Sequence, residues 1–238
     1  MTTTDPETGL PIGEAVNPAP AKRPEPTTLT GQHVRLVPLD TAQHADDLFA
    51  LTCVPGTEAL WVYLFDGPYA DKTSFRAALE AKAASTDPLF FAILDRTTGR
   101  AEGYASYMRI EPAHRVVEVG NVLFSPQLQR TPAATEAMYL MAKHAFEDLG
   151  YRRYEWKCDA LNAPSRRAAQ RLGFTFEGIF RAHLIVKGRN RDTAWFSMLD
   201  SEWPARKAAF ERWLDPANFN EDGRQRISLS TLNTQADA

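Results

Sequence analysis

The stretch that most restricts the fold runs from residue 115 to residue 150. "RVVEVGNVLF" (115–124) alternates as a strand does, breaks at Ser125-Pro126, and gives way after a short loop to Thr131-Pro132. From there Met138, Met141, Ala142, Ala145 and Leu149 recur at helical spacing, and Gly150 stops the helix. Strand, short loop and helix N-terminus in succession present backbone N–H groups to an anion. The junction, "QLQRTPAATEA" (127–137), contains no glycine. On local evidence alone the favoured reading is a turn followed by a capped helix. Thr131 is then the N-cap and Pro132 the first helical residue, where its missing N–H would have had no helical partner. On the strand, Val117, Val119, Asn121 and Leu123 are expected on one face, with Glu118, Gly120, Val122 and Phe124 on the other.

The remaining segments alternate in type. "HVRLVPL" (33–39) reads as a strand, and Asp40 or Thr41 caps a helix with His44, Leu48 and Leu51 on one face. "DKTSFRAALEAKAAS" (71–85) is a second helix. "LFFAILD" (89–95) and "AEGYASYMRI" (101–110) are strands about the Thr98-Gly99 turn. "YRRYEWKCD" (151–159) places Tyr154, Trp156 and Cys158 on one face. Asn162 caps "APSRRAAQRL", which ends at Gly173, and a last hairpin turns at Lys187-Gly188. Strands and helices mixed in this way, with two antiparallel hairpins, imply one α/β domain around a mixed sheet. Residues 1–28, rich in Pro, Thr, Glu and Ala, read as a flexible arm. Residues 29–215 read as the domain and 216–238 as a polar, loosely held tail.

Bulk properties narrow the function. The net charge of −3 argues against nucleic acid as the main ligand. Two cysteines, Cys53 and Cys158, make neither a disulfide framework nor a zinc spacing, and point to a reducing compartment, hence the cytoplasm. No apolar run approaches the ~20 residues of a membrane span, and the first residues lack the apolar core of a secretory signal. Neither G-x-x-x-x-G-K-[ST] nor G-x-G-x-x-G occurs, which removes support for an NTPase or a dinucleotide site.

Read from Glu118 onward, "VVEVGNVLFSPQLQRTPAATEAMYLMAKHAFEDLGYRRYEWKCDALNAPSRRAAQRLGFTFEGIFR", continued by "KGRNRDTAWFSML", resembles the GNAT superfamily of acetyl-CoA-dependent N-acetyltransferases. Within it the chain is most similar to the Rim-type branch, which acetylates N-terminal α-amino groups of ribosomal proteins and has relatives acting on small amines. The resemblance implies a GNAT-type mixed, mostly antiparallel twisted sheet flanked by helices. It implies acetyl-CoA as co-substrate, its pyrophosphate held at the helix N-terminus by N–H groups of Gln129, Arg130, Thr131, Ala133, Ala134 and Thr135. Pro132 stands where the family often has glycine and cannot donate. Asn162 would bind the pantetheine arm. Arg167, or another of Arg130, Arg166 and Arg171, would reach the 3′-phosphate.

Acetyl transfer needs a neutral amine, donors for a tetrahedral oxyanion, and a leaving thiolate that can accept a proton. Glu118 matches the family's strand glutamate and is the candidate base; a surface carboxylate is the other reading. Glu177, in "GFTFEG", is the second candidate, or else a strand glutamate paired with Arg181 or Arg171. A backbone N–H of Val122 or Leu123 would hold the oxyanion, with Phe124 next to the coenzyme. Where many members place a general-acid tyrosine, this chain has Ala169, which leaves Ser165, of the N-x-x-S element, to meet the sulfur. Cys158, on the apolar face of its strand, is expected in the core rather than as a nucleophile, and the resemblance implies direct transfer without an acyl-enzyme. Trp156, Trp195 and Phe196 are expected in the core as well. Trp61, Tyr63, Phe65 and Tyr69 are candidates for the acceptor wall, at least two of them core. No metal spacing occurs. The expected ligands are acetyl-CoA and a primary amine, on a protein N-terminus or a small molecule, with a homodimer left open. The departures Pro132 and Ala169 keep open a non-catalytic acyl-CoA sensor. Pocket volume decides whether a longer acyl-CoA is used.

Overall fold

The computed structural model describes residues 2–236. A two-stranded hairpin, β1 (Thr2–Thr4) with β2 (Pro11–Gly13), stands apart from the main sheet. Then follow β3 (Leu29–Thr30), β4 (Val34–Pro38), α1 (Thr41–Thr52), α2 (Lys72–Ala83), β5 (Leu89–Asp95), β6 (Ala101–Glu111) and β7 (Val116–Phe124). The second half holds α3 (Pro132–Lys143), β8 (Arg153–Asp159), α4 (Ala163–Arg171), β9 (Thr175–Val186), β10 (Arg189–Leu199), α5 (Trp203–Leu214) and α6 (Leu229–Ala236). Eight strands form one sheet in the order β3-β4-β5-β6-β7-β8-β10-β9. Its pairs are antiparallel except β7 with β8. This is the α/β architecture expected from the sequence.

Side chains alternate across the sheet and feed two cores. Leu89, Phe91 and Ile93 of β5 pack with Val117 and Val119 against Met138 and Met141 of α3 and Phe210 of α5. Phe90, Ala92 and Leu94 point the other way, onto Leu48 of α1 and Phe75 and Leu79 of α2. The helices start at side-chain caps. Asp40 accepts from the N–H of Ala42 at 2.7 Å, Asp71 from Ser74, and Thr131 from Ala134 at 3.2 Å. Pro132 is the first residue of α3, as the sequence suggests. The end of that helix widens into a π-helical turn, His144–Asp148.

Two expectations change. The alternation on β7 does not run through. The register passes from Ser106↔Gly120 to Tyr104↔Leu123, so β7 carries one more residue than β6 across this step. The extra residue is a bulge, with Asn121 at φ +52°. Leu123 is therefore turned into the α1/α2 core, opposite to Val117 and Val119. The C-terminal segment is part of the domain rather than a loose tail. Leu229 and Leu232 are buried in the same core as Phe210 and Trp213. At the other end, the arm is tied down where the Ala21 N–H meets the Pro112 carbonyl (3.0 Å) and the Lys22 N–H meets that of Leu149 (2.9 Å).

Candidate active site

The parallel pairing of β7 with β8 covers Val116↔Arg153 to Val119↔Trp156 and stops there. β7 runs on to Phe124 and β8 to Asp159, so the strands part. Because of the bulge, Asn121 and Val122 face no partner residue on β6, and they lie beyond the last partner on β8. The gap opens into a cleft of about 1130 Å³. Residues 118–124 form one wall, residues 156–159 with Asn162 and Ser165 another, and the start of α3 the end.

At that end, much of the expected set of donors is already engaged. The Gln129 N–H donates to the Ser125 carbonyl (3.0 Å), Thr131 to Leu128 (3.4 Å), Thr135 to Thr131 (3.4 Å), and Ala134 to the Thr131 hydroxyl. The amides of Arg130 and Ala133 have no acceptor among the described residues, so the available donors reduce to these two. Arg130 adopts φ +63°, a conformation that turns the chain sharply into the helix. The Gln129 side chain is turned back, its amide donating to the Phe124 carbonyl at 3.0 Å. Around this point stand Arg130, Arg167, Arg171 and Arg224, all lining the cleft. Arg171 is held in place. It donates to Thr135 Oγ1 (3.1 Å), and its guanidinium lies 4.7 Å from the Trp213 ring centre. Burial disfavours its charge and lowers its pKa. Phe219, Gly223, Arg224 and Gln225, from the segment expected to be a tail, close this side. The tail therefore supplies part of the site, which its polar composition had hidden.

Glu118 lies in the cleft and is buried. Its Oε2 accepts from Arg109 Nη1 at 2.6 Å and sits 3.0 Å from Lys157 Nζ. Lys157 also pairs with Glu155 at 2.6 Å and lies 3.9 Å from the Trp195 ring centre. The second carboxylate oxygen, Oε1, has no partner among the described residues and lies beside Gly120, where an added Cβ would be 3.4 Å from it. Glu177 lies elsewhere. It is on β9, outside the cleft lining, clamped by Arg153 (Nη1 2.8 Å, Nη2 2.5 Å) and by the Ser197 hydroxyl (2.7 Å). Its partner is Arg153, not the Arg181 or Arg171 expected from sequence.

Asn162 caps α4, its Oδ1 accepting the Ser165 N–H at 3.1 Å. Ser165 Oγ accepts from the indole N–H of Trp156 at 3.0 Å. With one lone pair so occupied, the hydroxyl proton is directed elsewhere. Cys158, in the cleft wall, has its thiol pKa pushed up by burial. A buried thiol of this kind is a poor nucleophile. Of the aromatic stretch, Trp61 and Tyr69 are stacked edge-to-face at 5.3 Å with Trp61 fully buried, whereas Tyr63 and Phe65 line the cleft. Sequence reasoning missed Trp156 as the holder of Ser165. It also missed Lys157, Arg109 and Arg191 as cleft cations. The signal available was the polar face of "YEWKCD", with Glu155 and Lys157 inward on a central strand. Among the described residues no cluster of His, Cys, Asp or Glu could hold a metal ion, and no helix is long and apolar enough to cross a membrane.

Parted parallel strands, a bulge at their fork and a helix N-terminus behind them fit the class of acyl-group transferases that the sequence resembles. Residues 33–175 match the family description "Acetyltransferase (GNAT) domain". The chain is 49% identical to a GCN5-related N-acetyltransferase of known structure from Brucella melitensis, with TM-score 0.89 over 91% of this chain and 98% of that one. It is 29% identical over 44% of its length to YdaF of Bacillus subtilis, described as a candidate ribosomal N-acetyltransferase. It spans about three-fifths of the curated relatives it matches, 57% and 63% of their lengths. An acetyltransferase from Salmonella typhimurium that modifies the N-terminal serine of a 50S ribosomal subunit protein shares the fold (TM-score 0.63, 18% identity, 73% of this chain and 99% of that one). The chain belongs to the GNAT acetyltransferase family.

Proposed function

We propose that the protein moves an acetyl group from acetyl-CoA directly to a primary amine, on a protein N-terminus or on a small molecule. The observation that carries this reading is the fork of β7 and β8, where Asn121 and Val122 leave their sheet partners inside the cleft. A thioester carbonyl placed in the fork meets the N–H of Val122 or Leu123, and backbone donors at that point lower the energy of the oxyanion. The amides of Arg130 and Ala133, with the arginines around them, suit the coenzyme's phosphates.

In the reaction the amine nitrogen bonds to the thioester carbon and the C–S bond breaks. The proton lost by the amine goes to Glu118 Oε1, the unpartnered oxygen, directly or through water. The thiolate leaves with a pKa near ~8.5 and needs little help. Ser165, oriented by Trp156, donates a hydrogen bond to that sulfur and keeps its proton. Cys158 takes no covalent part.

The test is release of free coenzyme thiol from acetyl-CoA across a library of amines and peptides, repeated with Glu118→Gln and Ser165→Ala. Glu118→Gln is expected to lower kcat by about 10²- to 10⁴-fold, the span of general-base catalysis, with acetyl-CoA affinity unchanged. Ser165→Ala is expected to have a smaller effect. Tight acetyl-CoA binding without thiol release for any amine would replace the enzyme by an acyl-CoA sensor.

A further inference from the structure

Arg191 lines the cleft at the end that holds Phe65, Asp159 and Glu118. Pairing of β10 with β8 ends at Thr193↔Asp159, so Arg191 projects beyond the tip of β8. Its residue is 7% exposed, yet it lines the cleft. Its Nε has no hydrogen-bond partner, and its guanidinium lies 5.2 Å from the ring centre of Phe65. The other cations at this end are already paired, Arg109 with Glu118 and Lys157 with Glu118 and Glu155. Arg191 makes no ion pair among the described residues. Asp159 and Glu118 act on it only at longer range. Asp192, its chain neighbour, is occupied at the β9 bulge, accepting from the Ala182 N–H (2.7 Å) and the Asn190 side chain (3.0 Å).

A buried cation with no anionic partner is an unfavourable arrangement that persists where a ligand completes it. A guanidinium presents a planar fork that matches a carboxylate through two parallel hydrogen bonds. Asp159 and Glu118 nearby disfavour a doubly charged phosphate more than a singly charged carboxylate. We propose that Arg191 binds a carboxylate on the reacting substrate and so selects carboxylate-bearing molecules for transfer. This rests on the acetyl-transfer reading above and gives it a substrate class. The carboxylate has two chemical sources. It belongs to the amine acceptor, as in an amino acid or a peptide with an acidic side chain near its amino end, or to the far end of a dicarboxylic acyl group on the coenzyme.

The experiment has two arms, each run on the wild type, Arg191→Gln and Arg191→Lys. In the first, acetyl-CoA is the donor and kcat/KM is compared for acceptors in matched pairs, free carboxylate against carboxamide. In the second, binding of succinyl-CoA is compared with that of butyryl-CoA, without acceptor. Wild type is expected to prefer the carboxylate in one arm by about ten- to a hundredfold, the usual worth of hydrogen bonds to a charged group. The preference should fall toward unity in Arg191→Gln and be partly kept in Arg191→Lys. The arm that shows it names the source. No preference in either arm, or a preference that both variants keep, overturns the inference. Acetyl-CoA affinity, measured alongside, separates the two levels. If it is intact while discrimination is absent, only the carboxylate site fails. If the wild type does not bind acetyl-CoA, the acetyl-transfer reading fails with it.

Discussion

Glu118 and Glu177 are both strand glutamates, and the sequence offered both as acid–base candidates. What separates them is their neighbours. Glu118 keeps one oxygen free inside the cleft, whereas Glu177 spends both on Arg153, outside it. The hydrogen bond from Arg153 is the main cause holding the Glu177 carboxyl below its usual value, with Ser197 adding to it against the desolvation penalty. A carboxyl with a depressed folded-state pKa stabilises the fold above its unfolded value near 4.5, and that contribution is lost as pH falls through the folded value. Glu177→Gln is therefore expected to lower stability at neutral pH by up to about 1 kcal/mol, the scale of a partly solvated pair. The gap from wild type should close in denaturant titrations run progressively below pH 4.5, while kcat stays at the wild-type value. A large loss of kcat would return Glu177 to the reaction. Neither outcome could be read from the motif, because "GFTFEG" fixes the strand but not which arginine crosses to it.

Among the elements, the junction of β7 with α3 was legible from residues 115–150 because its signals are local. The alternation, the Thr131-Pro132 start and the Gly150 stop each act within one turn or one strand. The bulge was not legible. Val117, Val119, Asn121 and Leu123 satisfy a period of two as written, and the extra residue exists only relative to β6. The loop donors were overcounted for a related reason. Thr131 was seen as a cap, but the turn that Ser125 and Leu128 close around residues 128–131 consumes two further amides. Pro132, whose place the family often gives to glycine, then costs the proposed site little, since the amides left without an acceptor among the described residues are those of Arg130 and Ala133. Its fixed φ restricts the unfolded chain. Pro132→Gly should lower stability by about 0.4–1 kcal/mol, and calorimetry should show a fall in Tm of about 1–4 °C for a chain of this size. Acetyl-CoA affinity by titration should stay within about threefold, less than the tenfold that 1.4 kcal/mol represents. A gain of tenfold or more would mean that the missing N–H at position 132 limits binding.

At the scale of the whole molecule, the end of the cleft at the start of α3 is closed by residues from the C-terminal segment. Polar composition made 216–238 look unattached, because two leucines among so many polar residues carry no periodic signal. Yet Leu229 is fully buried, and the segment is sewn in by Asn218, which donates to the carbonyls of Trp213 and Ile227 (both 3.1 Å) and accepts the Ile227 N–H (3.0 Å). The Asn233 side chain donates to the Arg171 carbonyl (3.0 Å), and Trp213 both stacks under Arg171 and donates to Gln225 (2.6 Å). Packing of α6 and placement of Arg171 are thus one arrangement. Leu229→Ala should destabilise by about 2–5 kcal/mol, the range for a buried leucine leaving a cavity. Leu79→Ala, in the core on the other face of the sheet, should cost a similar amount and serves as the control. The two variants are expected to part in binding. Measured well below both melting temperatures, Leu229→Ala should weaken acetyl-CoA affinity by severalfold, whereas Leu79→Ala should leave it at the wild-type value. Equal affinities would show that the last helix stabilises the domain without shaping the cleft. A loss confined to Leu229→Ala would show that distant packing positions Arg171, since Leu229 itself does not line the cleft.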